Sequence, residues 1–306
     1  MIYRTRIAVL IALLALVLAA CGGANVAATV NGKDVFDADV LGLGAAMPEE
    51  STVSGEAFRN LLTNTIFTES MVTAAESDFG AENLGSRSSV DAFIASASPD
   101  DLNILQSVAS NPQLSENAVD LVATQLLVRS VVKESIANTP EYLQGVWQNN
   151  QDRLIQVCAR NIIVETEQEA QAARDRIDAG DDFSAVADEV SIDTQTPGGV
   201  LPCPSNPSVY IQPFSSVVAT APVGEVVGPV QTDFGWHVVL VDSRESPGSL
   251  SELAQDPLRW IPGDLLDAAW SNWLNDAVGN ADIKVRSQIG TWYPPVDGII
   301  PPPASP

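Results

Sequence analysis

The hydrophobic pattern changes its period at Leu154, and that change limits the fold of this chain more than any other feature. Before it, apolar residues recur at three- and four-residue spacing, as in Leu114, Ala118, Leu121, Val122 and Leu126, the repeat of one helix face. The spacing predicts helices over 55–79, 88–109 and 115–137. Ser98-Pro99-Asp100 and Asn111-Pro112 interrupt them, with proline where a helix starts or cannot continue. Thr139-Pro140 opens another helix, to about Asn150. After the change come β-formers: Ile155, Val157, Ile162, Ile163 and Val164. Thr166 to Glu169 reads as a capping box, with a helix to about Ala179 and Gly180 as its stop. Asp181-Asp182 cap a second helix, Phe183 to Val190. A Gly/Pro-rich loop follows from Pro197 to Pro207, then a short helix from Pro213-Phe214. Val226 to Val230 is a strand whose proline suits a sheet edge, and Gly235 to Val241 is an apolar strand. Helices packed around a small sheet make this stretch α+β.

The flanks are simpler. Asn31-Gly32 marks a hairpin between Val26–Val30 and Lys33–Val35, because both turn residues tolerate positive φ. Asp37 is expected to cap a short helix to about Leu43. Leu265 to Val278 is an amphipathic helix carrying Trp270 and Trp273, too apolar to stand alone. Ile283 to Val285 is a short strand. From Tyr293 the chain is rich in Pro and Gly, and a disordered tail is expected.

Of 306 residues, 45% are hydrophobic and 18% charged. This is a globular composition with room for two domains. Arg4 and Arg6 precede the apolar run Ile7–Leu18, the pattern of a signal peptide. Leu18-Ala19-Ala20-Cys21 resembles a lipobox, which implies cleavage before Cys21 and a lipid on its sulfur; the alternative is a plain signal peptide and a chance cysteine. Residues 21–306 keep 13 basic and all 39 acidic side chains, a formal charge of −26. Such a surface repels nucleic acid and anionic headgroups, so the membrane attachment rests on the lipid. Cys158 and Cys203 remain. Outside the cytoplasm such a pair usually forms a disulfide; two free buried thiols are the other reading. One histidine, His237, and no Cys-x-x-Cys leave no metal-ligand spacing, and no cofactor motif is present.

Five segments, in order, resemble the parvulin-type peptidyl-prolyl isomerases. Val157–Val164 resembles the family's first strand, Asp182–Ala187 its "DF" helix, and Gly198-Gly199-Val200-Leu201 its "GGDLG" loop. Pro213-Phe214 resembles a helix entry that supplies a pocket aromatic. Val223–Val230 with Thr232–Val239 resembles the closing signature. The opening Ala27–Val35 resembles the start of the chaperone domain of SurA-like and PrsA-like foldases. The resemblance implies a parvulin-like domain (151–245) inserted in a discontinuous helical chaperone domain. That domain would comprise 21–150 and a returning segment, 246–290, after a signal peptide (1–20) and before a Pro-rich tail (291–306).

The resemblance also implies a site. Leu201, Tyr210 and Phe214 would line a slot for the proline ring, with Phe234 at its border. Asp193 falls where the family carries Cys or Asp near the twisting amide. Thr232 and His237 would form a hydrogen-bond network beneath the slot. Asn161 stands where the family usually has the first of two histidines; it can donate and accept but cannot titrate. Val200 replaces the Asp of the loop motif. A Cys158–Cys203 bridge would staple this loop to the sheet. The implied function is isomerisation of X-Pro bonds in unfolded or partly folded exported polypeptides, without cofactor or metal. A binding-only holdase is the second reading, singled out by Asn161. A transporter's substrate-binding lipoprotein is a third, which leaves the closing signature unexplained.

Overall fold

The protein is described from a computed structural model over residues 25–44, 55–293 and 298–300. The expected signal peptide and lipid-bearing Cys21 lie outside the described residues. The elements run β1 (Val26–Val30), β2 (Lys33–Phe36), α1 (Asp37–Leu41), α2 (Glu56–Phe79), α3 (Arg87–Ser96), α4 (Pro99–Ala109), α5 (Glu116–Ala137) and α6 (Pro140–Asn149). They continue with β3 (Gln156–Val164), α7 (Glu167–Asp178), α8 (Phe183–Val190), α9 (Phe214–Thr220), β4 (Val226–Thr232) and β5 (Gly235–Glu245). Last come α10 (Leu250–Leu253), α11 (Pro257–Trp260), α12 (Gly263–Gly279), β6 (Ile283–Val285), β7 (Thr291–Tyr293) and β8 (Gly298–Ile300). The architecture is mixed helix and sheet, α+β, with one compact unit inserted in another. The outer unit holds residues up to Asp78, Glu82–Leu127 and those from Asp276 on; the inserted unit holds Val128–Asn275 with Phe79–Ala81.

In the outer unit, Asn31 and Gly32 take φ of 49° and 82°, the conformations that let a two-residue turn join β1 and β2. β6, from the far end of the chain, pairs with the other edge of β1, giving the order β2-β1-β6. Ala28 and Val30 pack there with Phe58, Leu62 and Ile66 of α2. Two expectations are corrected. Asp37 does not cap α1: Phe36 is the N-cap residue and no side chain caps the helix. The Asp37 carboxylate instead accepts both oxygens' bonds from Arg286, at 3.0 and 2.9 Å. Nor does disorder begin at Tyr293. β7 and β8 form an antiparallel pair, Ile299 is buried in the core, and the Trp292 ring meets Phe67 edge-on at 5.6 Å. Trp292, Ile299 and Ile300 supply apolar surface that the surrounding Pro and Gly concealed.

Among the described residues, the inserted unit buries its apolar side chains in two regions. In one, Leu266 of α12 packs with Ala137, Leu143, Val146, Leu253 and Trp260, and Asp267 accepts bonds from Arg129 (2.8 Å) and Lys133 (2.5 Å). The other is built on the antiparallel sheet β3-β5-β4. Thr166 and Glu169 close the capping box that starts α7. Gly180, at φ 108°, turns the chain out of it, and Asp182 caps α8. Both helices bury Ala170, Ala173, Phe183 and Val186 on one face of the sheet, against Ile162, Val164 and Val238. Strand alternation sends Val157, Ala159, Val239 and Val241 to the opposite face. There they meet Leu201 and, from α9, Phe214 and Val218.

Candidate functional site

The site is assembled on this second face. Ile163 lies opposite His237 and Asn161 opposite Val239 in the β3–β5 ladder. Asn161 and His237 are therefore diagonal neighbours on one face, within side-chain reach. Both are buried, each 4% exposed. The His237 ring is held at both nitrogens: Nδ1 lies 3.0 Å from Asn161 Oδ1, and Nε2 lies 2.7 Å from Thr232 Oγ1. With the Asn161 oxygen toward the ring, Nδ1 carries the proton and donates it. Nε2 then accepts the Thr232 hydroxyl. The Thr232 oxygen accepts in turn from the Phe234 backbone N–H, 3.1 Å away. Every donor in this chain has one acceptor. Burial pushes the His237 pKa below its usual 6.5, because the charged imidazolium loses water that nothing here replaces. The ring is neutral at pH 7.

An aromatic wall stands against this ring. The Phe214 ring centroid is 4.9 Å from that of His237, and Tyr210 meets Phe214 edge-on at 5.4 Å. Leu201 belongs to the same buried cluster, with Tyr210 at its margin. The Tyr210 hydroxyl is 2.9 Å from Ser205 Oγ. Ser205 in turn exchanges both backbone bonds with Val157, each 2.9 Å, and the Leu201 N–H donates to the Ala159 carbonyl at 3.0 Å. The segment around Leu201 to Ser205 thus lies along the free edge of β3. Cys158 and Cys203 are disulfide-bonded across this pairing, with Cα atoms 4.7 Å apart.

Two glycines let the backbone close on the site. Gly199 has φ 70°, and a Cβ there would sit 2.5 Å from the Asn161 carbonyl oxygen. Gly228 has φ 123°, and a Cβ there would sit 2.5 Å from the His237 carbonyl oxygen. Neither conformation nor spacing admits a side chain. The double glycine and the Gly-Pro of β4 are therefore steric conditions for bringing the loop and β4 against the two buried polar residues.

Leu201, Tyr210, Phe214, Asn161, Thr232 and His237 come together in this way. The other two residues singled out from the sequence are placed differently. Asp193 spends its carboxylate on its own turn, accepting from the Gln195 N–H and the Thr196 hydroxyl, 2.9 Å each. The Phe234 side chain is 67% exposed in the β4–β5 turn; its backbone, not its ring, joins the network. Ser205 was missed. Its role depends on a pairing with β3 that no local pattern announces. Asp188, whose carboxylate accepts the Gly198 N–H at 2.5 Å, was also missed; the double glycine was the available signal.

Residues 158–243 match the rotamase family, described as a PPIC-type PPIASE domain. This segment of the chain is a parvulin-type domain. The chain is similar to PrsA foldases. It is 30% identical to a foldase protein PrsA of Halalkalibacterium halodurans over 169 residues, 54% of this chain and 49% of that protein. It is 28% identical to a parvulin-like PPIase of Rickettsia bellii over 178 residues, 56% of this chain and 61% of that one. The chain thus spans about two fifths to three fifths of the length of the curated relatives it matches. Among solved structures, PrsA of Lactococcus lactis covers 86% of this chain and 95% of its own at 14% identity, with a TM-score of 0.48.

Proposed function

We propose that this chain is an extracytoplasmic, lipid-anchored foldase that catalyses cis/trans isomerisation of X-Pro bonds in exported polypeptides. One observation carries the reading: Phe214, clustered with Leu201 and Tyr210, packs against a buried, neutral His237 held by Asn161 and Thr232. The barrier to rotation about a peptide bond is about 18–20 kcal/mol. No bond breaks, so catalysis consists of binding the twisted amide better than the planar one. An apolar wall of this kind receives a pyrrolidine ring and offers nothing that would hold the planar carbonyl. The network beneath it keeps the imidazole in one tautomer and one orientation. Asn161 serves as acceptor where a second titrating ring would otherwise stand, so the mechanism on this reading uses no change of charge. The anchor would come from Cys21, and the similarity to PrsA foldases supports the placement outside the cytoplasm.

The test is the isomerisation rate of Ala-Pro peptides with the full mature chain, followed by exchange spectroscopy. Acceleration that disappears in Phe214→Ala supports the isomerase. Acceleration by neither the native chain nor Asn161→His, with the fold intact, would leave a holdase. Asn161 itself favours that second reading, since it removes one of the two histidines usual in parvulins.

A further inference from the structure

No charged residue occurs between Asp193 and Glu225, so the whole wall of the slot is uncharged. Tyr210 has two sides, however. One meets Phe214; the other lines a separate open cavity of about 650 Å³, within the roughly 300–1,000 Å³ of ligand pockets. Ile155 and Tyr210 supply apolar surface there. Gln212, just before α9, and Ser216 and Thr220 on it supply a polar strip. The cavity's charges are Asp152, Arg153 and Asp264. Arg153 is consumed: its Nη2 donates to both Asp264 oxygens at 2.8 Å. Asp152 is exposed and has no ion-pair partner among the described residues. The balance is one unpaired negative charge beside an aromatic ring and an aliphatic side chain.

The wider surroundings have the same sign. Residues 151–245 carry five arginines and fifteen acids. Four of the arginines are paired to carboxylates. The fifth, Arg244, donates to the carbonyls of Val218 and Ala221 at the end of α9. Among the residues lining the cavity, no cation is left to receive an acidic side chain.

We propose that this cavity is a flank subsite. It takes the client chain beside the proline and prefers a lysine or arginine there. The aliphatic stem of such a residue lies along Tyr210 and Ile155 while its head reaches Asp152, the arrangement long basic side chains favour. The proposal rests on the reading of the slot as a proline site.

The experiment uses the full mature chain and Ala-Pro peptides carrying one Lys or one Glu, moved between two and five residues from the proline on either side. At one position Lys should exceed Glu in kcat/KM by about two- to fivefold at low salt, the size expected of a partly exposed charge pair. Salt should shrink the preference, and Asp152→Lys should reverse it. Equal rates at every position, or a preference that Asp152→Lys leaves unchanged, would overturn the subsite. The uncharged Ala-Pro peptide is run beside them: no catalysis of it means the isomerase reading has failed. Binding then decides the subsite separately. Lys peptides, and not Glu peptides, should shift the Ser216 and Thr220 amide resonances; shifts by neither would overturn it.

Discussion

The two faces of the β3-β5-β4 sheet are built by different rules. On the helix face, Ile162, Val164 and Val238 pack with Ala170, Ala173, Phe183 and Val186 from α7 and α8. On the loop face the same strands bury an amide and an imidazole, and cover them with uncharged loop and one short helix. Buried polar groups contribute little net stability even when fully bonded, and cost much when one partner is lost. Both faces therefore stabilise the sheet through apolar burial. The loop face carries polar groups that stability alone does not require.

The largest effect should come from the helix face. Phe183→Ala removes a ring that is 3% exposed, and such a truncation typically costs about 3–5 kcal/mol. The urea midpoint of the inserted unit should fall sharply, while the turnover of the molecules that remain folded should not change. A variant that loses turnover without losing stability would break the distinction between the faces.

Next comes the disulfide, the covalent device of the loop face. It closes a span of 45 residues, and removing a link of that length costs about 4 kcal/mol in the chain-entropy view. Cys158→Ser with Cys203→Ser should lower the unfolding midpoint. It should also lower turnover more than Phe183→Ala does per folded molecule, because Leu201 and Ser205 lie on the released segment. Non-reducing peptide mapping of the native chain should yield one linked peptide; two thiols open to alkylation would remove the premise.

Asn161→Ala leaves the His237 Nδ1–H without its acceptor, a loss of about 1–3 kcal/mol for a buried donor. Stability and turnover should fall together, whereas Asn161→Ser, which keeps an acceptor of smaller reach, should recover part of both. The pH dependence follows from the same ring. Its folded pKa lies below its unfolded value, so the unfolded chain takes up the proton first. This contribution is intact above about pH 6.5 and is lost as pH falls below it. His237→Gln should flatten that acid limb in urea titrations between pH 7 and pH 5.

The two faces also differed in how far the sequence revealed them. The capping box at Thr166, the stop at Gly180 and the cap at Asp182 are local signals, and each stands in the structure as its neighbours dictate. The loop face depends on contacts between residues far apart in the chain. The resemblance to parvulins brought Leu201, Tyr210, Phe214 and His237 to one place on paper, and their side chains do converge. It could not say that the Asp193 carboxylate would be taken by Gln195 and Thr196, or that the Phe234 ring would face water, because both follow from turn geometry. The same limit applied in the outer unit. The partner of Asp37 lies 249 residues away at Arg286, and the burial of Ile299 required a core built mostly from the first 70 residues.

The smallest expected effect tests the finest feature of the loop face. Tyr210→Phe removes only the hydroxyl bonded to Ser205, a group that is half-buried, and the net loss should be about 0.5–1.5 kcal/mol. If the hydroxyl merely adds stability, the midpoint should shift by that amount and the kinetic constants should not. If it holds the aromatic wall in register with β3, KM for proline peptides should rise while kcat stays near native. Ser205→Ala should reproduce the change, since it breaks the same bond from the other side. The double variant should then cost no more than either single one, because one interaction cannot be lost twice. Additive losses would mean that Tyr210 and Ser205 act separately, and that the loop face is held by the disulfide and the β3 pairing alone.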